Sequence, residues 1–204
     1  MSTKALWYLT RGSGIVSLLF LTIAVVLGLL TVGRFARERW PRFVVEGLHR
    51  NVSLLASVFL LIHIASSVLD GFVPIHWLDA VVPFGAAYRP FWLGLGALSL
   101  DVFVAVAATS LVRRHLGHRA WRAVHWSAYA CWFLAMVHSF GAGSDSGQGW
   151  MILVYLACGA AVLGALAWRL AATAKGAIAG AVRAGAVGPV GPLPLTVSER
   201  RRGA

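Results

Sequence analysis

The sequence predicts an all-α membrane protein, a polytopic bundle of five transmembrane helices, and three observations lead to that prediction. The chain of 204 residues is 59% hydrophobic and only 12% charged, about half the charged fraction of an ordinary soluble domain. Its mean hydropathy is +0.76. Five apolar stretches are each long enough to cross a hydrocarbon core about 30 Å thick, and lipid offers the backbone no hydrogen-bond partners, so these stretches must be helices.

The five apolar stretches almost exclude basic residues. Four contain neither Lys nor Arg, and the second contains only Arg50, close to its start. The predicted spans run from Gly14 to Gly33, Val44 to Leu69, Pro90 to Val112, Ala123 to Gly141 and Trp150 to Trp168. The transmembrane domain is therefore assigned to residues 14–170, preceded by a short extracytoplasmic segment over 1–13. Residues 171–204 are rich in Ala, Gly and Pro, which predicts a disordered cytoplasmic tail that begins with a short helix.

The basic residues predict the orientation. The net charge is +11, yet the charges form short clusters between apolar runs, which excludes a nucleic-acid-binding domain. Fifteen of the 18 Lys and Arg residues belong to the first loop, the third loop and the tail, or to their margins. The positive-inside rule places these loops in the cytoplasm of a plasma (inner) membrane protein, with the N-terminus outside and the C-terminus inside. Cys131 and Cys158 lie inside apolar runs and are predicted to be free.

Four of the seven histidines lie inside predicted helices as two matched pairs. His49 and His63 are 14 positions apart on the second helix, and His125 and His138 are 13 apart on the fourth, in each case about 20 Å of helix rise. Both helices cross in the same direction, so each depth holds one histidine from each. Two imidazoles fill the two axial positions of a haem iron. The pattern predicts an inner haem on His49 and His125 and an outer haem on His63 and His138.

The fourth helix needs an irregularity to present both ligands. On an ideal helix 14 positions return to within about 40° of the same face, whereas 13 positions leave two residues about 140° apart. The sequence therefore predicts a bend, a local bulge or different ligand angles between His125 and His138.

Two stretches carry a resemblance to a known family. GLHRNVSLLASVFLLIHI and WRAVHWSAYACWFLAMVHS resemble the ferric reductase-like transmembrane domain, whose members include NADPH oxidases, ferric reductases and the haem-binding subunit of the methionine sulfoxide reductase system. That family has two histidine pairs on two helices, with 13 and 12 intervening residues. The resemblance covers about Gly12 to Trp168 and implies two b-type haems. It also implies electron transfer to ferric iron, oxygen or a periplasmic reductase outside the cytoplasm.

The chain departs from that family in two respects. Five spans are predicted where relatives usually have six, so a partner is one source of a further helix. The tail is too short and too rich in Ala and Gly for a flavin or nicotinamide domain. The electron donor is therefore expected to be a separate cytoplasmic flavoprotein or a quinol.

Charged residues near the haem levels are secondary candidates. Arg50 and Arg122 at the inner level and Arg89 at the outer level either pair with haem propionates or face headgroups and solvent. Asp101, in the middle of the third span, is either a buried hydrogen-bonded group or a redox-linked proton site.

Loop histidines and small residues are weaker candidates. His115 and His118 have no Cys or carboxylate beside them in the loop to complete a metal site. They are interpreted as part of a basic loop that can dock an acidic flavoprotein. His76, in the outer loop, is a candidate for an acceptor site. Three glycines either admit a porphyrin or pack helices: Gly47, Gly94 and Gly96.

Three functional hypotheses follow from these patterns. The first is a di-haem b-type cytochrome that acts as an oxidoreductase component and moves electrons from the cytoplasm to an external acceptor. The second is a non-catalytic haem subunit of a separate reductase. The third is a small non-haem transporter or structural membrane protein whose histidines are packed or protonatable, against which the matched histidine depths and the lack of broken helices or a repeat argue.

Overall fold

Helices account for all the regular secondary structure in the computed structural model, which describes residues 3–32, 41–71 and 73–186. Within those ranges the elements are α1 (Thr3–Val32), α2 (Arg42–Leu69), α3 (Trp77–Val81), α4 (Pro90–Leu111), α5 (Arg113–Leu116), α6 (His118–Trp126), α7 (Ala128–Ala142) and α8 (Gly149–Ala186). Four of them, α1, α2, α4 and α8, are long and apolar enough to cross a membrane. The prediction of an all-helical membrane protein is thus confirmed.

The fourth predicted span is interrupted between its two histidines. Helix α6 ends at Trp126 and α7 begins at Ala128, with Ser127 between them. The backbone N–H and the hydroxyl of Ser127 both donate to the carbonyl of Val124, at 2.9 and 2.6 Å, which tightens this turn relative to an α-helix. Such an irregularity is what the 13-residue histidine spacing requires. Helix α7 alone has 15 residues, fewer than the about 20 that a crossing needs, so the fifth span stays a prediction.

Two helix boundaries differ from those expected. Helix α1 already begins at Thr3 and α8 continues to Ala186, so the segment before Gly14 and the start of the tail are helical. Ala residues are the strongest helix formers, which explains why the Ala-rich start of the tail extends α8. The first basic loop over 33–40 and the end of the tail over 187–204 lie outside the described residues.

Helix α1 is the central element of the bundle. It packs along α2 on one side and contacts α7 and α8 on the other, while α4 packs against α7. Its residues Val25 and Leu29 form a buried cluster with Val162 and Ala165 of α8. The indole N–H of Trp132 on α7 donates to Thr22 of α1 at 2.9 Å. This arrangement brings the α1–α2 pair and the α4–α7 pair side by side.

Side chains on the outside of the bundle are largely apolar, as lipid contact requires. Leu61 of α2 is 66% exposed and Leu111 of α4 is 86% exposed. Polar side chains make hydrogen bonds between helices, as Ser99 of α4 and Cys131 of α7 do. Ser99 Oγ donates to the Cys131 carbonyl at 3.0 Å, and Cys131 Sγ donates to the Ser99 carbonyl at 3.4 Å. Cys131 and Cys158 are both free and buried, as predicted.

Candidate functional site

The four intramembrane histidines meet as two pairs, each built from one residue of α2 and one from the α6–α7 segment. The ring centroids of His49 and His125 are 6.3 Å apart, with an interplanar angle of 68°. Those of His63 and His138 are 6.4 Å apart, at 75°. The two pairs, one between α2 and α6 and the other between α2 and α7, thus share nearly the same separation.

This separation can be compared with that of two imidazoles bound to one metal. Ligation on opposite sides separates the ring centroids by two metal–nitrogen bonds of about 2.0–2.1 Å and two ring radii of about 1.2 Å, or about 6.4 Å in all. Ring pairs in direct contact have centroids about 4.5–7 Å apart, a range that includes both separations. The spacing of both histidine pairs is therefore compatible with one metal ion between them, and equally with direct contact of the rings.

Backbone carbonyls orient three of the four imidazoles. The Nδ1 of His49 is 3.0 Å from the Ala24 carbonyl, and that of His63 is 2.8 Å from the Thr10 carbonyl. A carbonyl oxygen only accepts, so in each case Nδ1 carries the proton and Nε2 keeps its lone pair. This is the tautomer of a histidine that binds metal through Nε2 and is oriented through Nδ1.

The third oriented imidazole is His138, and it is held from α4. Its Nδ1 donates to the Trp92 carbonyl at 2.8 Å. Helix α4 thus provides a carbonyl to a histidine of α7, as α1 provides carbonyls to the histidines of α2. The fourth histidine, His125, differs: its Nδ1 is buried and has no hydrogen-bond partner in the described part of the chain. The ring of His125 instead stacks on Trp121, with centroids 4.9 Å apart and an interplanar angle of 26°.

A glycine lies four residues after each carbonyl that holds an imidazole. A Cβ at Gly14 would lie 2.8 Å from Nδ1 of His63, and one at Gly96 would lie 2.6 Å from Nδ1 of His138. A Cβ at Gly28 would lie 3.7 Å from Cε1 of His49. In a helix, residue i+4 lies directly over the carbonyl of residue i. At Gly14 and Gly96 the missing Cβ therefore gives the imidazole access to that carbonyl, whereas at Gly28 a Cβ would make an ordinary contact.

A cavity of about 370 Å³ surrounds the His63–His138 pair. Its wall is mostly apolar and includes Gly14 and Gly96, but not His49 or His125. The volume is in the range of about 300–1,000 Å³ that is typical of small-molecule and cofactor pockets. This end of the bundle can therefore accommodate a flat apolar group next to two imidazoles.

An ion pair closes one side of this cavity. Arg11 of α1 is paired with Asp145, in the connection between α7 and α8. The Arg11 guanidinium also lies 3.9 Å from the ring centroid of Trp7, a cation–π contact. The mouth of the cavity thus joins the start of α1 to the end of α7, and all three side chains line it.

The three arginines predicted to pair with propionates have different surroundings. Arg89 donates from Nη1 to the Gly141 carbonyl at 2.8 Å and so ties the start of α4 to the end of α7. Arg122 is exposed, with its guanidinium 5.7 Å from the ring centroid of Trp126. Arg50 is exposed, next to His49 in α2. Their role toward propionates stays a prediction.

The secondary candidates differ in their exposure and in the elements that carry them. Asp101 is half-buried on α4. His76 is exposed and caps α3, where its side chain and that of Asp79 form a reciprocal capping box; Asp79 lines the cavity and His76 does not. His115 and His118 are exposed on the short helices α5 and α6.

The candidate glycines separate into different roles. Gly96 faces His138, whereas a Cβ at Gly94 would overlap the Phe84 ring, and Gly47 has open space. Gly14 and Gly28 were not among the glycines predicted from the sequence. A signal for them existed, because these two glycines are 14 residues apart on α1, the same interval as His49 and His63 on α2.

The donor set decides which ligand chemistry the site suits. Comparison with protein-family models, curated proteins and solved structures finds no match to this chain. Among the described residues no group of three or more His, Cys, Asp and Glu side chains comes together, and protein-only zinc sites need three or four ligands. A tetrapyrrole brings four nitrogens of its own and needs only two axial imidazoles. Each histidine pair fits that requirement.

Proposed function

We propose that this chain is a di-haem b-type membrane cytochrome that carries electrons from a cytoplasmic donor to an extracytoplasmic acceptor. The observation that carries the proposal is the pair of nearly equal centroid separations, 6.3 and 6.4 Å, in two histidine pairs made by the same two helical segments. Axial ligation of two haems explains both separations at once.

The hydrogen bonding of the imidazoles supports ligation. In His49, His63 and His138 the carbonyl bond is made by Nδ1, which leaves Nε2 as the ligand atom. Haem iron supplies one-electron redox chemistry when bound, and the chain's residues hold and orient it.

The distance between the two pairs supports transfer across the membrane. His49 and His63 are 14 residues apart in one uninterrupted helix, a rise of about 20 Å, against a hydrocarbon core about 30 Å thick. One pair therefore lies near each face of the membrane. Electrons then cross in two short transfers in place of one long one.

The proposed topology counts α6 and α7 as one crossing, which makes five with α1, α2, α4 and α8. The basic residues then place the His49–His125 pair toward the cytoplasm and the His63–His138 pair toward the outside of the plasma (inner) membrane. The donor is a cytoplasmic flavoprotein or a quinol. Similarity to the ferric reductase-like domain suggests ferric iron, oxygen or a periplasmic reductase as the acceptor.

Haem content of the purified full chain tests the proposal. We expect a reduced-minus-oxidised absorption spectrum with b-type bands and two haems per chain. The double variant His63→Ala/His138→Ala should retain one haem, and so should His49→Ala/His125→Ala. The exposed His76 provides a control, since His76→Ala should keep both haems. A wild-type chain that contains no haem when expressed in haem-sufficient cells would favour the structural or transporter hypothesis instead.

A further inference from the structure

Arginines from two helices lie around Trp126, at the end of the bundle that carries the basic loops. Arg122 lies one turn before Trp126 on α6, and its guanidinium carbon is 5.7 Å from the centroid of the Trp126 ring. The guanidinium carbon of Arg169 on α8 is 5.8 Å from the same centroid. Both distances are within the about 6 Å at which a cation–π contact is significant. The tertiary structure thus brings together two positive charges that are far apart in the sequence.

An open groove of about 330 Å³ lies beside this ring. It is lined by Arg119, Arg122, Ala123 and Trp126. The two arginines are exposed, and Trp126 is 52% exposed. A ligand that enters the groove from outside the bundle therefore meets two guanidiniums and an indole ring, with the guanidinium of Arg169 close to the same ring.

In the described part of the chain, no carboxylate neutralises these guanidiniums. The ion pairs of Arg11 with Asp145 and of His76 with Asp79 belong to the opposite end of the bundle. Arg169 donates from Nη1 to the hydroxyl of a neutral residue, Tyr129, at 3.3 Å. Positive charges concentrated on one surface without a counter-charge raise the local concentration of anions.

Arg169 marks the level of the membrane surface on α8. It lies 20 residues after Gly149, where α8 begins, and a rise of about 30 Å is the thickness of the hydrocarbon core. The neighbouring Leu166 and Leu170 are exposed on the outside of the bundle, as lipid contact requires. Tryptophan and long basic side chains are typical of the zone where lipid chains meet headgroups. The arginine cluster at Trp126 therefore lies at the headgroup level.

Exposed apolar side chains continue from this cluster toward the middle of the membrane. Phe133 of α7 lies seven residues after Trp126, and Leu163 of α8 lies six residues before Arg169. Both are exposed, and both are about 10 Å deeper than the cluster. A molecule with an anionic head and apolar chains matches this sequence of surfaces better than a soluble acidic protein, which has no part that suits the apolar surface.

We infer that the groove beside Trp126, together with Arg169, binds the headgroup phosphate of an anionic phospholipid. Guanidiniums form bidentate, charge-assisted hydrogen bonds with phosphate oxygens, and basic pockets between transmembrane helices bind the headgroups of anionic lipids. The basic loops place this end of the bundle at the cytoplasmic leaflet. Of the two roles predicted for Arg122, the inference selects contact with headgroups. It is independent of the proposed function, because it involves no contact with haem.

Lipid binding to the detergent-purified full chain tests the inference. The probes are phosphatidylglycerol and phosphatidylcholine with the same acyl chains, titrated and counted by native mass spectrometry. We expect the wild type to bind phosphatidylglycerol more tightly. The double variant Arg122→Gln/Arg169→Gln should lower that affinity about 25-fold, since each charge removed costs about 5-fold, and should leave phosphatidylcholine binding unchanged. Equal affinities of the wild type for the two lipids would overturn the inference.

Two arginines at the same end of the bundle provide the matched control. Arg113 and Arg114 belong to α5, are exposed and do not line the groove. The double variant Arg113→Gln/Arg114→Gln removes the same charge, so it should bind phosphatidylglycerol nearly as the wild type does. Equal losses in the two double variants would show a general attraction to the basic surface and would contradict a site. Tyr129→Phe removes the neutral partner of Arg169 but no charge, and it should retain phosphatidylglycerol binding.

Two further probes separate a lipid from other anionic ligands. Inorganic phosphate has no acyl chains, so it should not displace phosphatidylglycerol from the wild type. Complete displacement would show that a free anion occupies the groove and would overturn the inference. Polyglutamate represents the surface of an acidic protein. If it bound the wild type but not Arg122→Gln/Arg169→Gln, and the wild type did not prefer phosphatidylglycerol, the groove would be a protein-docking surface and the inference would be wrong.

Discussion

In the α1–α2 half of the bundle both histidines bind a backbone carbonyl of the neighbouring helix. In the half formed by α4 with α6 and α7, only one of the two histidines does so in the described part of the chain. Helix α2 is continuous over Arg42–Leu69, and its histidines 14 residues apart both face α1. The α6–α7 segment is interrupted at Ser127, and only His138 finds a carbonyl on α4. When the spacing of two histidines matches the helical repeat, one straight neighbouring helix can provide a carbonyl to both imidazoles. When the spacing does not match, one imidazole has different surroundings.

The largest expected effect comes from adding a methyl group where a glycine lies too close to its histidine to accommodate a Cβ. In Gly14→Ala the new Cβ would lie 2.8 Å from Nδ1 of His63, so the ring must move and its bond to the Thr10 carbonyl is lost. We expect the His63–His138 haem to be lost, measured as a fall from two haems to about one. Gly96→Ala should do the same from the opposite half, through His138.

A neighbouring glycine provides the control for this substitution. Gly12 is also in α1, and a Cβ there meets nothing within 4 Å. Gly12→Ala changes helix propensity by the same amount as Gly14→Ala, so it should keep two haems. Loss of haem in Gly12→Ala would mean that the effect comes from the helix backbone and not from the histidine ring.

A medium effect is expected where the two halves are joined. Trp132→Phe removes the indole N–H that donates to Thr22 across α7 and α1, and we expect it to lower the free energy of unfolding by about 0.5–1.5 kcal/mol. Thermal unfolding in detergent measures this change. Thr22→Val removes the other partner, and in the double variant the two losses should be less than additive. Full additivity would show that the two groups do not interact.

The smallest effect is expected at the loosest glycine. A Cβ at Gly28 would lie 3.7 Å from Cε1 of His49, an ordinary van der Waals distance. Gly28→Ala should therefore keep both haems and raise the free energy of unfolding by about 0.5–1 kcal/mol, because alanine restricts the unfolded chain and favours the helix. Haem loss in this variant would show that His49, like His63, does not tolerate a Cβ at the neighbouring glycine. The two sites would then not differ in this respect.

The helices were largely predictable because hydropathy is a local property. The spans starting near Val44 and Pro90 agree with α2 and α4 to within a few residues. The ends of α1 and α8 were less predictable, since helix continues beyond an apolar stretch wherever propensity allows. The interruption near Ser127 was predictable from the spacing of His125 and His138, although its position within that interval was not.

The surroundings of the histidines were predictable only in part. The pairing of the four histidines follows from their spacing and from helix direction, so the four candidate ligands can be selected from the sequence. The carbonyls that accept these hydrogen bonds, those of Thr10, Ala24 and Trp92, cannot be found from the sequence, because every residue carries the same carbonyl. Of the glycines singled out in advance, Gly96 faces a histidine, while Gly47 has open space and Gly94 receives Phe84. Since all three are glycines, the residue type does not show which of them faces a histidine.

The sequence by itself determined that this chain forms long apolar helices and that four histidines sit at two depths, since both depend only on hydropathy and on the 3.6-residue repeat. Which carbonyl each imidazole meets was decided by the tertiary structure alone. The antiparallel register of α1 on α2, and of α4 on α6 and α7, selects those groups. The same register leaves Nδ1 of His125 buried without a hydrogen-bond partner among the described residues, which makes His125 different from its three counterparts.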